Sequence, residues 1–340
     1  MTLEPATSRT REWHNVDRTV FRDQIIPSER PAILRGLVKD WPAVAAGRAS
    51  DEAMADYLLA LDAGRPVTVL HGGPEIDGRF FYTDDLTALN FRRRSVPLTE
   101  ALSALLSFRT DPTPPAIAVQ STPTEGAFPA FAANNPQPLL DPSVGPRMWI
   151  GNAITTATHF DMSYNVACAV AGRRRFTLFP PHQLKNLYLG SLEFTPAGPP
   201  VSLVDIAKPD LARFPRFEEA WATAEVAELE PGDALYIPYF WFHNVESLDP
   251  FTVLVNYWWT EPRPTLGRPL EALLHAMATI RELSPGEREI WREVFDHFVF
   301  QTHGDPVGHI PPAMRGSLGE MTPQNIARIR KILVGALNRA

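Results

Sequence analysis

Five short apolar runs dominate the middle of the chain: Met148–Ile150, Val166–Val170, Arg175–Phe179, Ala234–Ile237 and Thr252–Trp258. Each is too short for a buried helix and is bounded by turn residues, so together they predict the strands of an antiparallel sandwich or barrel. No βα alternation and no Gly-rich phosphate loop accompanies them, which argues against a doubly wound nucleotide-binding fold. The apolar content, 44%, is ample for a core of this kind.

Within this β-rich third, the stretch WIGNAITTATHFDMSYNVACAVAGRRR, Trp149 to Arg175, places His159 and Asp161 two residues apart. Residues i and i+2 of a strand point to the same face, so an imidazole and a carboxylate converge. Downstream, PGDALYIPYFWFH ends at His243, after a turn at Gly232-Asp233 and among Tyr239, Phe240, Trp241 and Phe242. Two histidines and one carboxylate are the ligand set of a non-haem Fe(II) centre with open positions for substrate and oxygen. The competing reading is three satisfied polar residues in a core. Burying them costs several kcal/mol unless something pairs them, which a divalent metal does directly. Spacing alone leaves both readings open.

The net charge of −7 argues against a nucleic-acid binder driven by bulk charge, and no nucleic-acid partner is expected. Thirty-four prolines fall singly or in short clusters between apolar segments and read as turn punctuation. The single cysteine, Cys168, lies in the apolar run VACAV and reads as a buried structural thiol. The N-terminus has no apolar signal region and no stretch approaches 18 apolar residues, so a cytoplasmic protein without membrane contact is expected.

Before the β-rich third, residues 1–12 are polar and predicted to fray, and Ala32–Leu34 predicts a strand. Ser50 caps a predicted helix carrying Met54, Tyr57, Leu58 and Leu61. Pro66–Leu70 predicts a strand with Arg79–Tyr82 pairing back as a hairpin, and His71 between them reads as a surface polar residue. Phe91–Arg94 reads as a solvated loop, Thr99–Leu106 as a Thr-capped helix and Ala116–Gln120 as a strand. The Pro- and Asn-rich segment Ser121–Arg147 is long enough for an active-site wall, and the insert Gly190–Ala222 reads as irregular. From Leu266 the pattern turns helical, with Leu270, Leu273, Leu274 and Met277 on one face, a capping box at Ser284–Glu287, and a last helix from Thr322-Pro323. Such stripes must be buried on the sheet or against a second subunit.

The words WIG, TxxHxDxxxN from Thr156 to Asn165, AGRRRFTLFPP, KPDLARFPRF, PGDALYIPYFWFHNVESL and VNYWW resemble the cupin-like, JmjC-type branch of the Fe(II)/2-oxoglutarate-dependent dioxygenases. Its asparaginyl-hydroxylase members are the nearest match, and RPAILRGLVKDWPA extends the likeness to about residues 13–260. The resemblance implies a mainly β, double-stranded β-helix (jelly-roll) core with flanking helices. It implies a domain over 13–264 with a metal-binding core at 149–259, and a helical extension over 265–340 that could build a homodimer. Carried over position by position, His159, Asp161 and His243 match the iron ligands, and Thr156 matches a hydroxyl on the distal carboxylate of 2-oxoglutarate. Arg174 falls where the family usually has a lysine paired with that carboxylate. Asn165 and Asn256 match amides near the cosubstrate, and Trp258 matches a wall of its pocket. The register of Arg174 against Arg173 and Arg175 is open by one, although strand alternation sets Arg174 on the opposite face from both.

The implied activity is an Fe(II)- and O₂-dependent hydroxylation of a protein side chain or small molecule, coupled to decarboxylation of 2-oxoglutarate. Two departures bear on it. A tyrosine that helps hold the cosubstrate falls at Ala118, although Gln120 matches a substrate-contacting glutamine. An Arg-Gln pair that grips the target asparagine falls at Pro200 and Val201, which argues against asparagine specificity. The alternatives are a cupin metalloenzyme that uses no 2-oxoacid, and a catalytically silent binding module that kept the barrel.

Overall fold

The computed structural model describes residues 8–260 and 267–338. The chain divides into two compact units, Met1–Thr260 and Glu261–Ala340. The first holds every strand among the described residues: β1 Ser8–Arg9, β2 Arg11–His14, β3 Ala32–Arg35, β4 Val67–Gly72, β5 Arg79–Phe80, β6 Arg92–Val96, β7 Ala116–Pro123 and β8 Pro146–Gly151. They continue with β9 Thr155–Phe160, β10 Tyr164–Ala171, β11 Arg174–Phe179, β12 Glu225–Leu229, β13 Ala234–Ile237, β14 Phe242–Ser247 and β15 Thr252–Trp259.

Two mixed sheets form a sandwich, ordered β1-β12-β11-β14-β9-β5 and β2-β3-β13-β10-β15-β8-β7-β4-β6. From β8 to β15 the chain passes back and forth between them, so that β9, β11, β12 and β14 in one sheet belong with β8, β10, β13 and β15 in the other. This is the expected jelly-roll. The middle of the larger sheet, at β13, β10 and β15, is buried on both faces, which explains why β10 reads VACAVA without polar alternation. Val166, Cys168 and Val170 join Met148, Val253 and Val255 in a cluster with Met54, Leu58, Leu102 and Leu105 from the flanking helices. Each such side chain contributes roughly 1.5–3 kcal/mol of burial. The opposite face of β10 turns Asn165, Ala167 and Ala169 toward the interior, where the two alanines pack with Phe176, Leu178 and Leu254. Short side chains there leave room between the sheets.

Several local expectations change. Arg79–Phe80 does not pair back on β4; it lies parallel to β9, while β4 pairs with β6 and β7. Phe80 goes into an aromatic contact with Phe91, 5.2 Å between centroids, which outweighs the hairpin pattern. Arg92–Arg94 is the edge strand β6 rather than a loop, and its exposed arginines blunt that edge. The helix near Thr99 spans Leu98–Phe108 behind Pro97, with no side-chain cap. Residues 8–12, expected to fray, form β1 and the start of β2, while 1–7 lie outside the described residues. His71 is an exposed position of β4. The Ser50 cap is present, accepting from the Ala53 amide.

In the second unit, helices span Pro269–Thr279, Pro285–Phe298 and Pro323–Leu337; Leu266, the expected helical start, lies outside the described residues. Ser284 and Glu287 form a reciprocal capping box, and Thr322 accepts from the Asn325 amide. No described helix is long and apolar enough to cross a membrane.

Candidate metal centre

His159 on β9 and His243 on β14 stand directly opposite each other across an antiparallel pair. Their rings lie 4.3 Å apart at 55°. Asp161 follows β9 by one residue, and its Oδ2 lies 3.7 Å from His243 Nε2. One ligand atom from each of the three residues fits within 4.8 Å of the others.

Both rings are oriented by the main chain. His159 Nδ1 is 2.8 Å from the Ala157 carbonyl oxygen and His243 Nδ1 is 3.0 Å from that of Trp241. A carbonyl only accepts, so each Nδ1 carries the proton and each Nε2 keeps its lone pair for a ligand. Burial and the neighbouring His159 imidazole hold the His243 pKa well below its ordinary value, which keeps the ring neutral at physiological pH. Asp161 Oδ2 is buried and accepts no hydrogen bond. A buried carboxylate oxygen beside two lone pairs is costly as it stands and is satisfied by a cation. The set therefore fits a divalent metal, with nitrogen and oxygen donors suited to Fe(II).

The backbone around the ligands is unusual in two places. Phe240 adopts φ of 65°, donates its amide to the Asp161 carbonyl and stacks on Phe160 at 4.0 Å. This left-handed turn, uncommon for a bulky residue, fixes the approach of the chain to His243. The second is a bulge in β9. His159 pairs with His243 and Thr156 with Val245, so three steps on β9 oppose two on β14. Regular alternation would turn Thr156 away from His159. The bulge brings it to the interior face beside Val245, which packs in the interior cluster.

On β11, Leu178, Phe176 and Arg174 pair with His243, Val245 and Ser247 in turn. Arg174 therefore lies inward, two interior positions deeper than the ligands. It is 6% exposed, donates from Nη2 to Thr252 Oγ1 at 3.0 Å, and leaves Nε without a partner. Burial lowers its pKa to about 10. Its neighbours face outward: Arg173 pairs with Asp249 at 2.8 Å and Arg175 with Glu228 at 2.9 Å. Of the three arginines, Arg174 alone is buried and has no carboxylate partner. Asn256 donates to Asn165 Oδ1 at 2.8 Å, while Asn256 Oδ1 and the Trp258 indole N–H have no partner. Trp258 stands edge-on to Trp149 at 6.0 Å.

The eight residues assigned to the site from sequence, His159, Asp161, His243, Thr156, Arg174, Asn165, Asn256 and Trp258, thus lie on or beside the interior of one jelly-roll. Sequence reading passed over Thr252, which holds Arg174, and Arg147, which shares a face with Trp149. For Arg147 the i, i+2 spacing was the available signal.

A family model described as "Cupin-like domain" matches residues 18–264. The chain belongs to this family. HSPB1-associated protein 1 of Rattus norvegicus is 38% identical over 129 residues, covering 37% of this chain and 26% of that protein. Lysine-specific demethylase JMJ31 of Arabidopsis thaliana is 36% identical over 112 residues, 33% of this chain and 20% of that protein. The matched segment of this cupin-like chain thus spans about a quarter or less of those two relatives. tRNA wybutosine-synthesizing protein 5 of Mus musculus is 27% identical over 270 residues, 72% of this chain and 75% of that protein.

Proposed function

We propose that this protein is an Fe(II)/2-oxoglutarate-dependent oxygenase that hydroxylates a protein side chain or a small molecule. The observation that carries the reading is a buried His159–Asp161–His243 set sharing its interior with a buried, uncompensated Arg174. A metal centre using no 2-oxoacid would leave that guanidinium buried without a counter-charge, an arrangement that costs several kcal/mol. A diacid anchored on Arg174 supplies the missing charge, bidentately if it meets the planar fork. Thr156, Asn165, Asn256 and Trp258 are assigned to the cosubstrate as hydroxyl, amides and wall.

The metal, when bound, supplies oxygen activation coupled to oxidative decarboxylation. Overall, substrate C–H, O₂ and 2-oxoglutarate give C–OH, CO₂ and succinate. The chain's contribution is orientation: His159 and His243 present Nε2, and Asp161 presents a carboxylate. Arg174 sets the depth of the diacid, and the aromatic wall excludes water. The same C–H chemistry on an N-methyl group would end in demethylation, the reaction named for the Arabidopsis relative. The likeness to asparaginyl hydroxylases rests on the motif words. Val201, at the place of the asparagine-gripping pair, is fully buried and bridges to His159, so that side of the site is apolar.

The test is succinate formation from 2-oxoglutarate by the iron-loaded protein under air. It should require Fe(II) and be lost in His159→Ala and Asp161→Ala. Iron-loaded protein that binds no 2-oxoglutarate by calorimetry refutes the assignment.

A further inference from the structure

We propose that the interior wall formed by Arg147, Trp149 and Trp258 is the specificity element of this site and takes an anionic group, carboxylate or phosphate, on the substrate. The inference rests on the oxygenase reading above. On β8, Met148 and Ile150 pack outward among the helices, while Trp149 packs against the interior cluster. Arg147, two residues from Trp149, therefore shares the interior face. Its guanidinium carbon lies 5.8 Å from the Trp258 ring.

This wall carries three side-chain donors, one neutral acceptor across from Arg147 at Asn256 Oδ1 and, among the described residues, no carboxylate. Arg147 donates from Nε to Ser121 Oγ and from Nη2 to the Ser121 carbonyl, both at 2.7 Å. These bonds fix the head of the side chain, and no described carboxylate pairs with it. The indole N–H groups of Trp149 and Trp258 are buried without acceptors. A held guanidinium, two indole donors and no counter-ion match a ligand rich in acceptor oxygens.

The cosubstrate borders this wall through Asn256 and Trp258, but its distal carboxylate, held at Arg174, leaves Arg147 without a counter-charge and the Trp149 indole donor without an acceptor. Arg147 pairs with Asn256 on β15, whereas the Arg174 partner Thr252 pairs with Gly151 at the other end of β8. About 13 Å of strand separates those registers, more than a five-carbon diacid spans. The two arginines therefore serve two different anions. A purely structural role for Arg147, as a strut for Ser121 (φ 42°), uses only part of its fork and leaves both indoles unexplained.

The experiment titrates the full chain, loaded with Mn(II) and saturated with 2-oxoglutarate, by calorimetry and tryptophan fluorescence. The probes are N-acetyl-aspartate, N-acetyl-phosphoserine and the neutral isostere N-acetyl-asparagine. At least one anionic probe should bind saturably and tenfold or more tighter than the neutral one, and the better of the two identifies carboxylate or phosphate as the group read. Arg147→Gln should weaken that probe at least tenfold while changing 2-oxoglutarate affinity less than twofold, and Arg147→Lys should fall between. Equal binding of charged and neutral probes, no binding of any probe, or a tenfold loss of 2-oxoglutarate affinity in Arg147→Gln overturns the proposal. A melting temperature lowered in Arg147→Gln, with probe binding retained, shows a strut and also overturns it. Wild type that binds no 2-oxoglutarate refutes the oxygenase reading instead, a separate observation made before any probe is added.

Discussion

Replacing Arg174 by methionine should make the ligand-free protein more stable and abolish its response to 2-oxoglutarate. Burial pulls the guanidinium pKa well below its ordinary value, to about 10. That drop corresponds to about 3 kcal/mol by which folding disfavours the charged form. The folded-state value is depressed, so the penalty is present at all neutral pH, where the group is charged both folded and unfolded. It is relieved only as pH rises through about 10. Methionine removes the charge and keeps much of the apolar stem, at the loss of one hydrogen bond worth about 1 kcal/mol. Thr252 still donates to the Gly151 carbonyl at 3.1 Å, so no new orphan is left. The net gain is about 2 kcal/mol, or roughly 4–8 °C in Tm for a unit of this size. Wild type should instead gain about 2.7 kcal/mol from 2-oxoglutarate at a hundredfold excess over Kd, and the variant nothing. Differential scanning calorimetry of both proteins, with and without Mn(II) and 2-oxoglutarate, gives four melting temperatures whose order should invert on adding ligand. An Arg174→Met protein that melts lower than wild type when empty, or that keeps the ligand shift, refutes the claim that this charge waits for an anion.

His159→Ala should cost most of the Mn(II) affinity, read by electron paramagnetic resonance, while far-UV circular dichroism stays unchanged. Gly172 closes the β10–β11 turn at φ of 64°, and a Cβ there would lie 2.7 Å from the Phe251 carbonyl and from Thr252 Cγ2. Gly172→Ala should therefore destabilise by about 1–3 kcal/mol in urea denaturation, and it should also weaken 2-oxoglutarate binding by displacing the Arg174 partner. For the helical unit, Leu273, Ile290 and Trp291 are 48, 64 and 44% exposed. The expected homodimer through these helices predicts a dimeric mass by light scattering, and a monomer at micromolar concentration counts against it.

Much of this was legible because burial imposes period. Strand alternation set His159 and Asp161 on one face, while the choice of a metal set with His243 over satisfied core residues, which spacing left open, came from the family resemblance. The single outward-inward-outward choice among Arg173, Arg174 and Arg175 follows from the same rule. What alternation could not show is the bulge in β9, where Thr156 reaches the interior only because the register slips. Nor could it show that β5 joins β9 in parallel, since that pairing is decided by Phe80 meeting Phe91 across a long loop. Arg147 was hidden for a related reason: its polarity marked the end of a loop, whereas the strand begins one residue before it.

Both imidazoles of the candidate metal centre have their Nδ1 held by carbonyls two residues upstream, Ala157 and Trp241. The tautomer and aim of each imidazole are thus written in the peptide backbone, which no point substitution removes so long as the strand survives. A saturation-mutagenesis map of the interior should show deep intolerance at the three ligands and shallow tolerance in the shell around them. Chambers of different shape and charge can then be exchanged around one backbone-held His–Asp–His set, which gives this architecture room to change the ligand it takes while the grip stays the same.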